Sequence, residues 1–163
     1  MTQNTPKRSG RIPAAVLMAT VIAIPAEGLR QYAYYDPPGI LTVCYGSTTD
    51  VQKGKRYSLA ECRERLDRDM LNAVMTVERC VPGLPENKLA AFGDAVYNIG
   101  PKIACDPKAS TAARLLKAGK WDEACKQLLR WDKARVAGQM VTLPGLTKRR
   151  QAEYQLCIGS KTA

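Results

Sequence analysis

Six cysteines are spread through a chain that contains no histidine. Cys44, Cys62, Cys80, Cys105, Cys125 and Cys157 are widely spaced, and no Cys-x-x-Cys pair occurs. A zinc site takes four ligands, usually closely spaced and often including histidine. No metal is therefore expected, and no cofactor is implied. The even, dispersed set reads as disulfides, and hence as a protein of an oxidising compartment. The sequence alone leaves their connectivity open. The missing histidine also excludes Ser-His-Asp and Cys-His catalysis. Acid/base chemistry near neutral pH falls to Asp or Glu with a tuned pKa.

With 163 residues the chain is long enough for one domain with a real core. Its 45% hydrophobic and 25% charged residues predict a soluble globular protein. The net charge of +10 favours polyanions such as nucleic acid, anionic lipid or a bacterial envelope. The basic residues are scattered over polar helix faces, without a nucleic-acid signature or an aromatic-basic platform. Nucleic acid is not the expected partner.

Lys7, Arg8 and Arg11 precede an apolar run from Ile12 to Ala26, with no charge between Arg11 and Glu27. As a helix the run would span about 22 Å, short of the ~30 Å hydrocarbon core of a bilayer. A basic flank followed by an apolar run has the shape of an export signal, with the flank left on the cytoplasmic side. A permanent anchor is disfavoured by the short, mildly apolar span, which leaves a cleaved signal peptide, an uncut signal-anchor that later leaves the bilayer, and an ordinary buried first helix. The last two are compatible, since a released segment can refold into a core.

Residues 1–11 are expected to be disordered, and residues 12–31 helical, with a kink or break at Pro25. Around the Asp36-Pro37-Pro38-Gly39 turn the pattern changes to aromatic and β-branched residues. It predicts a small hairpin or three-stranded sheet reaching to about Tyr57. Ser58 and Glu61 form a capping box for a long helix over 59–80. Further helices are predicted over 88–100, 110–119, 121–134 and 146–159. The fold class is α+β, mostly α.

Glu27 and Asp36 lie nine positions apart, with Thr42 in the strand that follows. Cleaving a glycosidic bond takes one carboxyl as general acid and a second to activate water or stabilise charge. Glu27, at the end of an apolar segment, is expected to be partly desolvated and so to hold its proton. Asp36, in a polar turn, is expected to stay ionised. The Thr42 hydroxyl offers a hold on a water between them.

The stretch EGLRQYAYYDPPGILTVCYG resembles the active-site signature of the phage lysozymes, the endolysins of glycoside hydrolase family 24. Glu27, Gly28, Asp36, Gly39, Thr42, Val43 and Gly46 match it in register. The similarity continues through SLAECRERLDRDM, through FGDAVYNIG against the family's SFxFNxG segment, and through LPGLTKRRQAE against its GLxxRRxxE motif. The cysteines at 44, 62, 125 and 157, with the Ala-rich apolar start, are most similar to the signal-arrest-release lysozymes of lambdoid phages. Two departures stand out. Ser47 occupies the place of a histidine common in relatives, and Pro37-Pro38 replaces polar or acidic residues. Residues 1–26 contain no cysteine, so control by thiol exchange in that segment is not available.

The resemblance implies a lysozyme-like architecture: a small N-terminal β-sheet subdomain, a long connecting helix and a C-terminal helical lobe. It implies a muramidase that hydrolyses peptidoglycan with inversion, with Glu27 as acid, Asp36 as base and Thr42 as the water-positioning hydroxyl. Thr48, Tyr97, Thr111 and Arg130 fall near the family's sugar-contacting positions. Disulfides Cys44–Cys62 and Cys125–Cys157 are implied, which leaves Cys80 and Cys105 for each other. The division implied is residues 1–26 as basic start and signal-arrest-release segment, and 27–163 as catalytic domain. Such a protein is exported, tethered to the host inner membrane facing the periplasm, then released as a monomer to act on peptidoglycan. Two other readings remain: a lytic transglycosylase, which needs only one catalytic acid, and a non-enzymatic basic protein that binds peptidoglycan or membrane.

Overall fold

The computed structural model describes residues 10–159. The expected disorder of residues 1–9, and the basic residues Lys7 and Arg8, lie outside the described residues. Helix α1 runs over Arg11–Glu27, strands β1 and β2 over Arg30–Tyr35 and Leu41–Cys44, and helix α2 over Leu59–Cys80. Helices α3 (Glu86–Ile99), α4 (Lys102–Cys105), α5 (Thr111–Lys117) and α6 (Trp121–Gln127) follow. A 3-10 turn at Leu128–Arg130, strands β3 (Lys133–Val136) and β4 (Gln139–Thr142), and helix α7 (Pro144–Ile158) complete the chain. The architecture is mostly helical with two small antiparallel hairpins.

The structure corrects the reading of the first helix in three places. Arg11 is not part of a disordered flank: it opens α1 and pairs with Glu78, also donating to the Leu84 carbonyl at 2.7 Å. Pro25 does not break the helix. It lies in the last turn on the exposed side, where the Val21 carbonyl that lacks its amide partner faces outward. The helix ends at Glu27 rather than 31, because Gly28, at φ +69°, turns the chain into β1.

Helix α1 is built into the main core. Ala15, Ala19 and Ala23, four apart, form a small-residue face that is fully buried, chiefly against α3 and α2. Thr20 is buried beside them and satisfies its hydroxyl on the Leu17 carbonyl at 2.8 Å. Among the described residues no helix is long and apolar enough to cross a membrane. Helix α2 starts on the expected capping box, with Ser58 accepting from the Glu61 amide and Glu61 accepting from the Ser58 amide. It buries Leu66, Met70, Val74 and Val77 on one stripe. Gly93 of α3 allows the closest approach: a Cβ there would come within 2.7 Å of Val74 Cγ2.

Strands β1 and β2 pair antiparallel, with Tyr34 opposite Thr42 and a bulge toward Arg30. Isolated antiparallel bridges join Tyr32 to Arg56 and Val43 to Ser47, so the described sheet is a hairpin with two added contacts rather than a three-stranded sheet. A small second core of Val43, Cys44, Tyr57 and Cys62 fastens it to α2. Disulfides link Cys44 to Cys62, Cys80 to Cys105, and Cys125 to Cys157. They tie the hairpin to α2, the end of α2 to α4, and α6 to α7.

The predicted helix over 121–134 stops at Gln127, and a hairpin follows. Ala137 and Gly138, both at positive φ, make its two-residue turn. The strand β4 is exposed along its whole length, so no buried alternation marked it in the sequence.

Candidate active site

A cleft of about 530 Å³ opens between the β1–β2 hairpin, α2 and α3. Glu27, Asp36, Thr42 and Thr48 line it from the N-terminal side, and Asp69, Asn72 and Thr76 from α2. Tyr97 and Asn98 line it from α3.

Asp36 is braced by its own turn. Its Oδ1 accepts from the Ile40 amide at 2.7 Å, and its amide donates to the Ile40 carbonyl at 3.0 Å. Gly39, at φ +88°, closes the turn. Thr42 is buried, with Oγ1 2.9 Å from the Ile40 carbonyl and 3.5 Å from Asp36 Oδ2. Its one hydroxyl proton goes to one of these acceptors at a time. The same hydroxyl keeps acceptor capacity beside the Asp36 carboxylate.

Glu27 ends α1, partly exposed to the cleft. Contrary to the sequence expectation, its neighbour is a guanidinium rather than an apolar wall. Arg149 of α7 donates to Glu27 Oε1 through Nη1. Its Nε and Nη2 donate to the two oxygens of Asp94 on α3, at 2.9 and 2.8 Å. Burial alone would lower the proton affinity of Arg149; Asp94 first, and Glu27 after it, more than reverse this, so the group stays charged. Gly46, at φ +94°, brings backbone close to the other carboxyl oxygen, with its ideal Cβ position 3.5 Å from Glu27 Oε2.

Tyr97 donates to the Tyr45 carbonyl, joining α3 to the loop after β2. Burial, reinforced by the charges of Glu27 and Asp69, pushes its phenol above the ordinary tyrosine range. Ser47 accepts from Arg65 at 3.1 Å. Arg65 also donates to the carbonyls of Thr49 and Asp50, at 2.6 and 2.9 Å, pinning the loop that carries Thr48.

The structure brings Glu27, Asp36, Thr42, Thr48 and Tyr97 to one cleft. Thr111 and Arg130 do not line it. Thr111 opens α5 and its hydroxyl accepts from Arg114 at 2.8 Å; Arg130 donates to Gln127 at 3.1 Å. Trp131, beside it, packs on the main core. Sequence reasoning missed Asp69, Asn72 and Thr76, whose signal was their i, i+3, i+7 spacing on the polar side of α2. It also passed over Asp94, a lone carboxylate in a strongly apolar helix.

Acidic side chains gathered in a cleft between a small hairpin and packed helices are the arrangement that a lysozyme-type glycosidase uses. Residues 25–153 match the phage lysozyme family. The SAR-endolysin of Bacteriophage PS119 is 36% identical over 137 residues, covering 83% of this chain and 78% of that protein. The SAR-endolysin of Pseudomonas phage phiKMV is 33% identical over 162 residues, covering 95% and 92%. The solved muramidase domain of SpmX from Asticaccaulis excentricus superposes with a TM-score of 0.75 at 27% identity, covering 96% of this chain and 99% of that one. The chain belongs to the phage lysozyme family, as an endolysin with SAR-endolysin relatives.

Proposed function

We propose that this endolysin is a muramidase that hydrolyses the β-1,4 bond between N-acetylmuramic acid and N-acetylglucosamine in peptidoglycan. Glu27 protonates the leaving oxygen. Asp36 takes a proton from a water held by Thr42, and that water attacks the anomeric carbon from the opposite face, inverting it. The observation that carries this reading is the shared cleft, with the Thr42 hydroxyl 3.5 Å from Asp36 and Glu27 on the adjoining wall. Thr48 and Tyr97 are the proposed sugar contacts.

Turbidity loss of permeabilised Gram-negative cells tests it. Glu27→Gln and Asp36→Ala are each expected to lower the rate at least about 10²-fold. Products should be reducing ends without 1,6-anhydro sugars. Full lysis by Asp36→Ala with anhydro products would instead identify a lytic transglycosylase, and full lysis by Glu27→Gln a non-enzymatic protein.

The apolar segment 12–26 is proposed to carry the protein across the host inner membrane and hold it there, facing the periplasm, until release of the monomer. The relatives' names and the uncharged run between Arg11 and Glu27 support this. While the segment lies in the bilayer, Glu27 is held at the membrane surface, away from Arg149. Once released, the segment packs through its alanine face, and Glu27 reaches the cleft. The proposed division is thus 1–26 for export and arrest, and 27–163 for catalysis, with α1 serving both.

A further inference from the structure

We propose that Asp94 is a positioning residue that acts through Arg149 to keep Glu27 able to carry a proton. The inference rests on the reading of Glu27 as general acid. Asp94 is 0% exposed and Arg149 5%. Their pairing is bidentate, which fixes the plane of the guanidinium and leaves Nη1 for Glu27 Oε1. Oε2 of Glu27 is then the oxygen beside Gly46 and the cleft, where a leaving oxygen would meet it.

The charge argument runs the same way. A guanidinium without a counter-charge would hold Glu27 ionised, and an ionised carboxylate cannot act as an acid. Asp94 neutralises Arg149 from the far side while leaving its third hydrogen bond in place. Among the described residues lining the cleft, the other titratable groups are Tyr34 and Asp36 on the hairpin, Asp69 on α2 and Tyr97 on α3, and none of these is a cation. Behind Asp94 lie Arg150 and Glu153 of α7, paired at 2.7 Å. Burial, and then Asp94, hold the Glu153 carboxyl well above the usual range. With Glu153 neutral and Glu27 protonated, Asp94 is the anion that offsets Arg149 and Arg150, so its loss leaves both cations uncompensated behind Glu27. A serine in place of Asp94 would supply neither the charge nor the second acceptor.

The test compares wild type with Asp94→Asn, Asp94→Ser, Asp94→Glu and Glu27→Gln on purified peptidoglycan, across the acid to alkaline range. In Asp94→Asn and Asp94→Ser the alkaline limb of the rate profile should move to lower pH by about one unit, since the limb reports deprotonation of the acid. kcat should fall about tenfold at neutral pH with KM unchanged. Asp94→Glu, which keeps the charge, should restore most of the limb. Unmoved limbs in the folded Asn and Ser variants would overturn the proposal. If those variants do not fold, Asp94→Ser combined with Arg149→Met removes both charges together. Its limb should lie at or above that of wild type, and a limb below it overturns the proposal. Activity in Glu27→Gln would instead refute the general-acid reading itself, so the two failures are distinguishable.

Discussion

Glu27 is the first charged residue after Arg11, and as the last residue of α1 it ties the proposed general acid to the docking of that helix. The same logic of buried charge reaches Glu153, whose folded carboxyl is held above its unfolded value by burial and by Asp94. Below about pH 4.3 the group is protonated in both states and costs nothing. As pH rises past that value the unfolded chain releases the proton first, and stability falls until the folded carboxyl ionises too. Glu153→Gln is neutral at every pH and should flatten this decline. Urea denaturation at about pH 4 and about pH 7 measures it; an undiminished difference between the two would show that Glu153 ionises normally. Arg150 Nε and Nη1 are buried without a hydrogen-bond partner among the described residues, a polar cost the core carries beside Glu153.

At the scale of elements, α1 and α2 illustrate two kinds of stability. Helix α2 begins on a local signal. Ser58→Ala removes the acceptor for the Glu61 amide and should cost about 1 kcal/mol, read from a denaturant midpoint. Helix α1 has no side-chain cap and holds its place by packing. Ala19 is fully buried, so Ala19→Leu adds volume to a closed seam while making the segment more apolar. Cells expressing that variant should retain the protein in the membrane fraction and lyse late. Leu17→Ala, on the exposed side, should not delay lysis in this way. Equal release of both would separate the docking of α1 from activation.

Over the whole molecule, cross-links join segments that α-helical packing alone holds weakly. The Cys125–Cys157 bond fastens α7, which carries Arg149, to α6. Replacing both cysteines with serine should lower stability by about 2–4 kcal/mol in guanidinium denaturation. The serine pair should keep lysis at low temperature and lose it on warming, earlier than wild type. The +10 charge belongs to this scale as well, since such a field favours polyanions without deciding which bond is cleaved.

Local rules made much of this protein legible: the capping box at Ser58 and Glu61, the turn at Asp36 to Gly39, and the long stripe of α2. Each depends on neighbours within a few residues. The register of Glu27, Asp36 and Thr42 was readable because the family motif is contiguous. The β3–β4 hairpin was not, because its strands are only four residues each and almost wholly exposed, so no buried face marks them. Nor was the pairing of Arg149 with Asp94 and Glu27, since those residues are 55 and 122 positions away from it. The sequence by itself determined the class of fold, the candidate acids and an uncharged first segment. Only the tertiary structure decided that this segment is a core helix and that Glu27 after it meets an arginine paired with Asp94. Such facts depend on which distant faces pack together, and no local periodicity records that.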